Sequence, residues 1–150
     1  MKAAFDALSS EIAVLKKAAG ILRRDIQAAF AASTDSPWPP SVDFLQTVSP
    51  PQSVLNFVSN IVDGKDACKA TERGSRVSKS ISEDLCYAAT CGKWQMPKHL
   101  LLGMSLRHLT GSADIVTILN RYGHCVSYTK VLELEIAERQ CAAIKHYTDR

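Results

Sequence analysis

Long apolar runs are missing from this 150-residue chain. No stretch comes near the roughly 18 uninterrupted apolar residues that a membrane span requires, so no transmembrane helix and no membrane partner are predicted. Charge of one sign is also scarce. Eighteen Lys and Arg stand against 15 Asp and Glu, a net +3, which is not the strongly basic profile of a dedicated nucleic-acid binder and leaves room only for a local patch. Glycine is thin, and there is no Gly-rich phosphate loop and no G-x-S-x-G elbow to present a hydroxyl. No segment alternates apolar and polar residues as a half-buried strand does, so β structure is not expected. The N-terminus lacks the apolar core and small-residue cleavage site of a secretory signal. The cysteines (Cys68, Cys86, Cys91, Cys125 and Cys141) are odd in number. Without a signal they read as reduced thiols of an intracellular protein, cytoplasmic or nuclear.

What is present suits a folded domain: 46% apolar and 22% charged residues are ordinary for a globular protein and sufficient for a core. The N-terminal third, residues 1–33, has its own pattern. Phe5, Leu8, Ile12, Leu15, Ala19, Leu22 and Ile26 follow one another at intervals of 3, 4, 3, 4, 3 and 4, a heptad seam. With Phe5 at position a, the d positions are all leucine, and Ile12 and Ile26 sit at a. That choice favours a parallel two-stranded coil, in which Glu11 at g and Lys16 at the next e would form an interchain ion pair. The seam predicts self-association or a protein partner on this helix. The same periodicity also describes one amphipathic helix packed on its own domain, and Ala19 and Gly20 weaken the seam locally.

A Pro-rich elbow follows at 34–48, with Pro37, Pro39 and Pro40 around Trp38; proline removes an amide donor and keeps Thr34 to Ser41 extended. From 49 to 147 a helical core domain is predicted. Ser49 reads as an N-cap with Pro50 in the first helical position, opening an apolar helix through Val54, Val58 and Val62 that Gly64 stops. Residues 64–80 read as a polar loop. Lys65, Lys69, Arg73, Arg76 and Lys79 face only Asp66 and Glu72 there, so the loop carries as much positive charge as the whole chain, +3. It could grip phosphates, but without aromatic residues for stacking it reads first as a solvated connector.

Ser80-Ile81-Ser82-Glu83 reads as a capping box that starts a helix ending at Gly92. Pro97 opens the next, whose leucines occupy most of its circumference and so place it at the centre of the core. Gly111 then stops that helix and Ser112 caps another. Gly123 and Ser127 repeat the same stop and start before the last. The predicted fold is therefore all-α: an N-terminal amphipathic, coiled-coil-like helix, the elbow, and a compact bundle of four to five helices.

The phrases SISEDLCYAATCGKWQMPKH and LRHLTGSADIVTILNRYGHCVSY, with the PWPP elbow, resemble a block found in uncharacterised multi-copy proteins of invertebrate genomes. The resemblance covers about residues 36–140. It implies descent from a mobile element and implies no reaction. In such proteins the block precedes a longer region, and this chain stops within a helix at Arg150 without a C-cap, so a fragment or truncated copy is the expectation.

Three chemistries were open to these residues. Residues 112–140 have the order of a helix-turn-helix, and with Lys130 and the basic loop they form the alternative reading, nucleic-acid binding. The turn is long for that motif, however, and Glu133, Glu135 and Glu138 would repel a polyanion. Cys86-x4-Cys91, Cys141-x4-His146 and His124-Cys125 could be assembled into a metal site, but residues five apart on a helix point to different faces, and buried cysteine is a small hydrophobe. His108, Ser112 and Asp114 lie close in sequence, with simpler roles as caps and helix-end charges. No catalytic, cofactor or metal residues are assigned. The expectation is a non-catalytic helical interaction module.

Overall fold

The structure, a computed structural model, describes residues 2–33, 48–64 and 71–148, and the side chains of 8–33, 48–64 and 71–140. Among these residues there are six helices and no strand: α1 (Lys2–Ser33), α2 (Gln52–Val62), α3 (Glu72–Ala89), α4 (Pro97–Thr110), α5 (Ala113–Arg121) and α6 (Tyr128–Thr148). The all-α class read from the sequence is the class observed. Among the described residues no helix is long and apolar enough to cross a membrane. All of the elbow before Val48 lies outside the described residues, as do Lys65, Cys68 and Lys69.

The helices pack as two units of three. In the first, α1, α2 and α3 bury Ile26, Val54, Val58 and Cys86 with Trp94 and Met96 from the turn after α3. Phe30 of α1 packs on Trp94 with ring centroids 6.2 Å apart. In the second, α4, α5 and α6 bury Leu100, Val116, Cys125, Val126, Val131 and Leu134. The expectation that α4 would be the centre of a single core is thereby corrected. Its buried residues are Pro97, His99, Leu100 and Gly103, while Leu101 and Leu109 are exposed. With two cores instead of one, α4 is covered on the side that meets α5 and α6, where Leu102 and Leu106 pack half-buried beside Leu100, and Leu101 and Leu109 remain at the surface. Gly103 lets α6 approach: a Cβ there would stand 2.9 Å from the Val131 Cγ2, closer than side-chain carbons pack.

Two helix starts differ from those predicted. α2 begins at Gln52, with Pro51 and not Ser49 in the capping position and no side-chain cap. Pro50 precedes another proline, which keeps it extended and out of the helix; the Pro51 carbonyl then accepts the first helical bonds, from Val54 and Leu55. The larger difference is α3. It starts eight residues before the SISE sequence, so Arg73, Arg76 and Lys79 are exposed helical residues and not part of a loop. Thr71 is the cap, its Oγ1 accepting from the Gly74 amide at 3.0 Å. Ser80 is interior, the Ser82 hydroxyl donates back to the Ser78 carbonyl, and Glu83 serves another helix, so no capping box forms.

The reason lies in spacing. Gly74, Ser78, Ser82 and Cys86 recur every fourth residue and all are buried, which gives α3 a face of small side chains. α2 packs on α3 more extensively than any other described pair, and a Cβ on Gly74 would run into the Asp63 carboxylate beyond the end of α2. Tertiary contact thus holds in helix a stretch whose glycine and serines have weak intrinsic helix preference. Replacing Thr71 with alanine should lower stability by about 1 kcal/mol, the usual loss of a threonine cap. A urea melt unchanged by Thr71→Ala would mean that α3 does not start there.

The remaining punctuation follows the sequence. Gly111 (φ 65°) ends α4 in the left-handed region, and the Ser112 Oγ accepts from the Ile115 amide. Gly123 (φ 78°) closes α5, and the Ser127 Oγ accepts from the Lys130 amide at 3.4 Å.

Candidate functional site

α1 is continuous through Gly20, but its apolar seam is divided. Ile26 is 4% exposed, and Leu22 packs half-buried against the same cluster. Leu22 and Ile26, assigned by the sequence to an intermolecular seam, are therefore occupied within the chain. Phe30 and Trp94 explain why, since the aromatic pair draws the last third of α1 onto α2 and α3. Helix 1–33 thus shares a core with residues assigned to the domain after the elbow. Leu8, Ile12 and Leu15 are the reverse, 54%, 44% and 64% exposed, and Ala19 is exposed beside them. Val14 and Ile21 are also exposed, but at c positions, about 130° round the helix from the seam. The side chain of Phe5 lies outside the described residues. Glu11 and Lys16 are exposed on the same stretch.

Among the described residues, those proposed for nucleic acid are not gathered. Arg73, Arg76 and Lys79 occupy the first two turns of α3, in the first helical unit. Lys130 is on α6 in the other unit, where its Nζ donates to Glu133 Oε2 at 2.8 Å. α5 and α6 follow one another across residues 122–127, as the helix-turn-helix reading expected. Two carboxylates of α6, Glu133 and Glu135, have partners within the fold: Glu135 lies 3.8 Å from the Nε of Arg107, whose guanidinium covers the Tyr128 ring at 5.3 Å.

The cysteines lie apart. Cys86 is buried in the first core and Cys125 in the second, while Cys91 is exposed. Cys141 and His146 fall outside the described side chains. Burial pushes the Cys86 thiol up to about 12, with a smaller push from the Glu83 carboxylate. Burial also raises Cys125, whose Sγ donates weakly to the Val116 carbonyl. Both are protonated, unreactive side chains near neutrality. Among the described residues no group of three or more His, Cys, Asp or Glu could hold a metal ion. The Ser112 hydroxyl is engaged as a cap.

Sequence reasoning missed a polar cluster that joins the two units. Glu83 is buried and its Oε2 accepts from the Lys98 amide at 2.9 Å, capping the start of α4 from α3. The Lys98 Nζ donates to Asp84 Oδ2 at 2.6 Å and to the Ser80 carbonyl. His99, fully buried, stacks on Tyr87 with centroids 4.0 Å apart and planes 13° apart. Its Nε2 sits 3.1 Å from Asp84 Oδ1, off the line of a well-directed hydrogen bond. The Tyr87 hydroxyl and the Asn120 amide both donate to the Cys125 carbonyl, and the Val126 amide donates to the His99 carbonyl. Desolvation raises Glu83, partly offset by the bond from Lys98. Burial likewise lowers His99, against the opposing pull of Asp84. A shallow groove of about 320 Å³ opens beside this cluster, lined by Asp84, Tyr87, Gly92, Tyr122 and His124 among others.

In chemical terms the cluster is a joint. Lys98 matches both carboxylates, its amide at Glu83 and its Nζ at Asp84, while Asp84 Oδ1 and both His99 ring nitrogens have no hydrogen-bond partner among the described residues. The tyrosine hydroxyl and the Asn120 amide are spent on a backbone carbonyl. Among the described residues, exposed apolar side chains recur at heptad spacing on α1, and others, including Ile61, Leu109 and Tyr122, are exposed elsewhere. Set beside protein-family models, curated proteins and solved structures, the chain matches none of them.

Proposed function

We propose that this chain is a non-catalytic interaction module, within a protein of mobile-element descent, that self-associates through the N-terminal half of α1. One observation carries the reading: a heptad seam that buries Ile26 in its own core continues as Leu8, Ile12 and Leu15, each at least 44% exposed. Apolar side chains repeated every 3.5 residues on a free helix face lose little of their contact with water unless a second helix covers them. Each leucine or isoleucine so covered contributes on the order of 1.5–3 kcal/mol when fully buried, which offsets the loss of freedom on pairing only if several act together.

The test is sedimentation velocity on the full chain at high micromolar concentration, beside the double variant Ile12→Glu, Leu15→Glu. Those positions are exposed, so the variant keeps its fold, whereas deleting residues 1–33 would remove Ile26 and Phe30 from the core. The full chain is expected to dimerise and the variant to remain monomeric with unchanged helical circular dichroism. A monomeric full chain would sink the proposal.

A further inference from the structure

The orientation of the pair follows from the same division of the seam, and it rests on the self-association just proposed. A heptad stripe drifts about 20° per repeat on a straight α-helix. Ile12 and Ile26 are two repeats apart on one continuous helix, so their faces differ by only about 40°. The first core, with Val54, Val58, Cys86 and Trp94, therefore lies on the side of α1 toward which Leu8, Ile12 and Leu15 point.

A parallel partner in register would lie on that side along the whole helix, about 8–10 Å from axis to axis. Its residues 22–33, about 17 Å of helix at 1.5 Å per residue, would have to occupy the volume filled by this chain's own core. The parallel pairing favoured by the leucines at d and by the Glu11–Lys16 spacing is thus obstructed by the fold, and an exposed ion pair is too weak to make room.

We infer that a second copy docks antiparallel, overlapping residues 8–19 of both chains about a two-fold axis. In this register residues 2–5 of each α1 come level with residues 22–25 of the other copy, where the core begins, so the first turn of each frays as the pair closes, and the two cores sit at opposite ends of the shared segment. Antiparallel coils pair a with d positions, which sets Ile12 against the second copy's Leu15 and Leu8 against its Ala19. The small Ala19, a weakness in a parallel seam, becomes the match for a leucine. On the flanks the nearest same-side neighbour of Glu11 in the second copy is Ala18 and that of Lys16 is Ser9, each offset by about 3 Å along the axis, so no like charges are brought together. The contact is isologous, as a closed dimer requires.

Cross-linking in the full chain tests the orientation. With Cys68, Cys91 and Cys141 replaced by serine, the double variant Leu8→Cys, Ala19→Cys should oxidise to a covalent dimer. Each single variant should not, because Leu8 of the two copies would be separated by about 16 Å along the axis. Covalent dimers from Leu8→Cys alone, or none from a double variant that sedimentation shows to be dimeric, would overturn the antiparallel arrangement and leave self-association standing. A chain that is monomeric before any substitution would overturn both. Glu11→Lys gives a check without cysteine: the dissociation constant should change by less than about 2-fold, whereas a parallel coil built on the Glu11–Lys16 pair should weaken by more.

Discussion

Leu100→Ala is expected to lower stability by about 2–5 kcal/mol, the range for truncating a fully buried leucine. Leu100 has no exposed surface and belongs to the cluster with Val116, Val126 and Val131, so the three methylene-sized groups lost would leave a cavity walled by β-branched side chains with little freedom to collapse into it. A domain of this size has only about 5–15 kcal/mol of stability in total, and the variant should show an early thermal transition. The first unit should follow it. Glu83, buried on α3, caps the start of α4, and Val126 is tied to the His99 carbonyl, so loss of the second core removes partners from the joint. Trp94 lies in the first core and, with the other tryptophan, Trp38, replaced by phenylalanine in both proteins, reports on it separately. Its fluorescence transition should coincide with that of far-ultraviolet circular dichroism. If Trp94 unfolded at the wild-type temperature in Leu100→Ala, the two units would be independent.

The helix ends at Gly111, Ser112, Gly123 and Ser127 were legible because capping is local: the donor, the acceptor and the left-handed residue lie within a few positions of one another. The start of α3 was not. Glycine and serine between Thr71 and Ser82 have the composition of a loop, and only their four-residue spacing marks a helix face. That spacing has no apolar signature, because its purpose is to bring α2 close. The joint was invisible for a related reason. Glu83 and Lys98 are fifteen residues apart, on helices whose relative placement no local pattern fixes. For the seam, periodicity showed which residues share a face of α1 but could not show that Phe30 and Trp94 would take its last third into the core. The orientation inferred for a partner depends on that division, so it required the fold.

His99 should make the fold sensitive to mild acid. Burial holds the imidazole below its ordinary value of 6.5 despite the nearby Asp84 carboxylate. The unfolded chain therefore binds a proton at this site as the pH falls below about 6.5, while the folded chain does not, and stability decreases there. Glu83 acts in the opposite sense. Its raised value means that the folded state takes up a proton before the unfolded state does, which adds stability on further acidification toward the ordinary carboxyl range. The loss should thus begin below about pH 6.5 and level off at lower pH. His99→Ala removes the stack on Tyr87 and opens a cavity, at a cost of about 3 kcal/mol at neutral pH. His99→Phe keeps an aromatic ring against Tyr87 and has no proton to gain. Urea midpoints measured from about pH 7.5 to about pH 5.5 should fall for the wild type and stay level for His99→Phe. Parallel slopes in the two proteins would assign the acid sensitivity elsewhere and leave His99 as a packing residue.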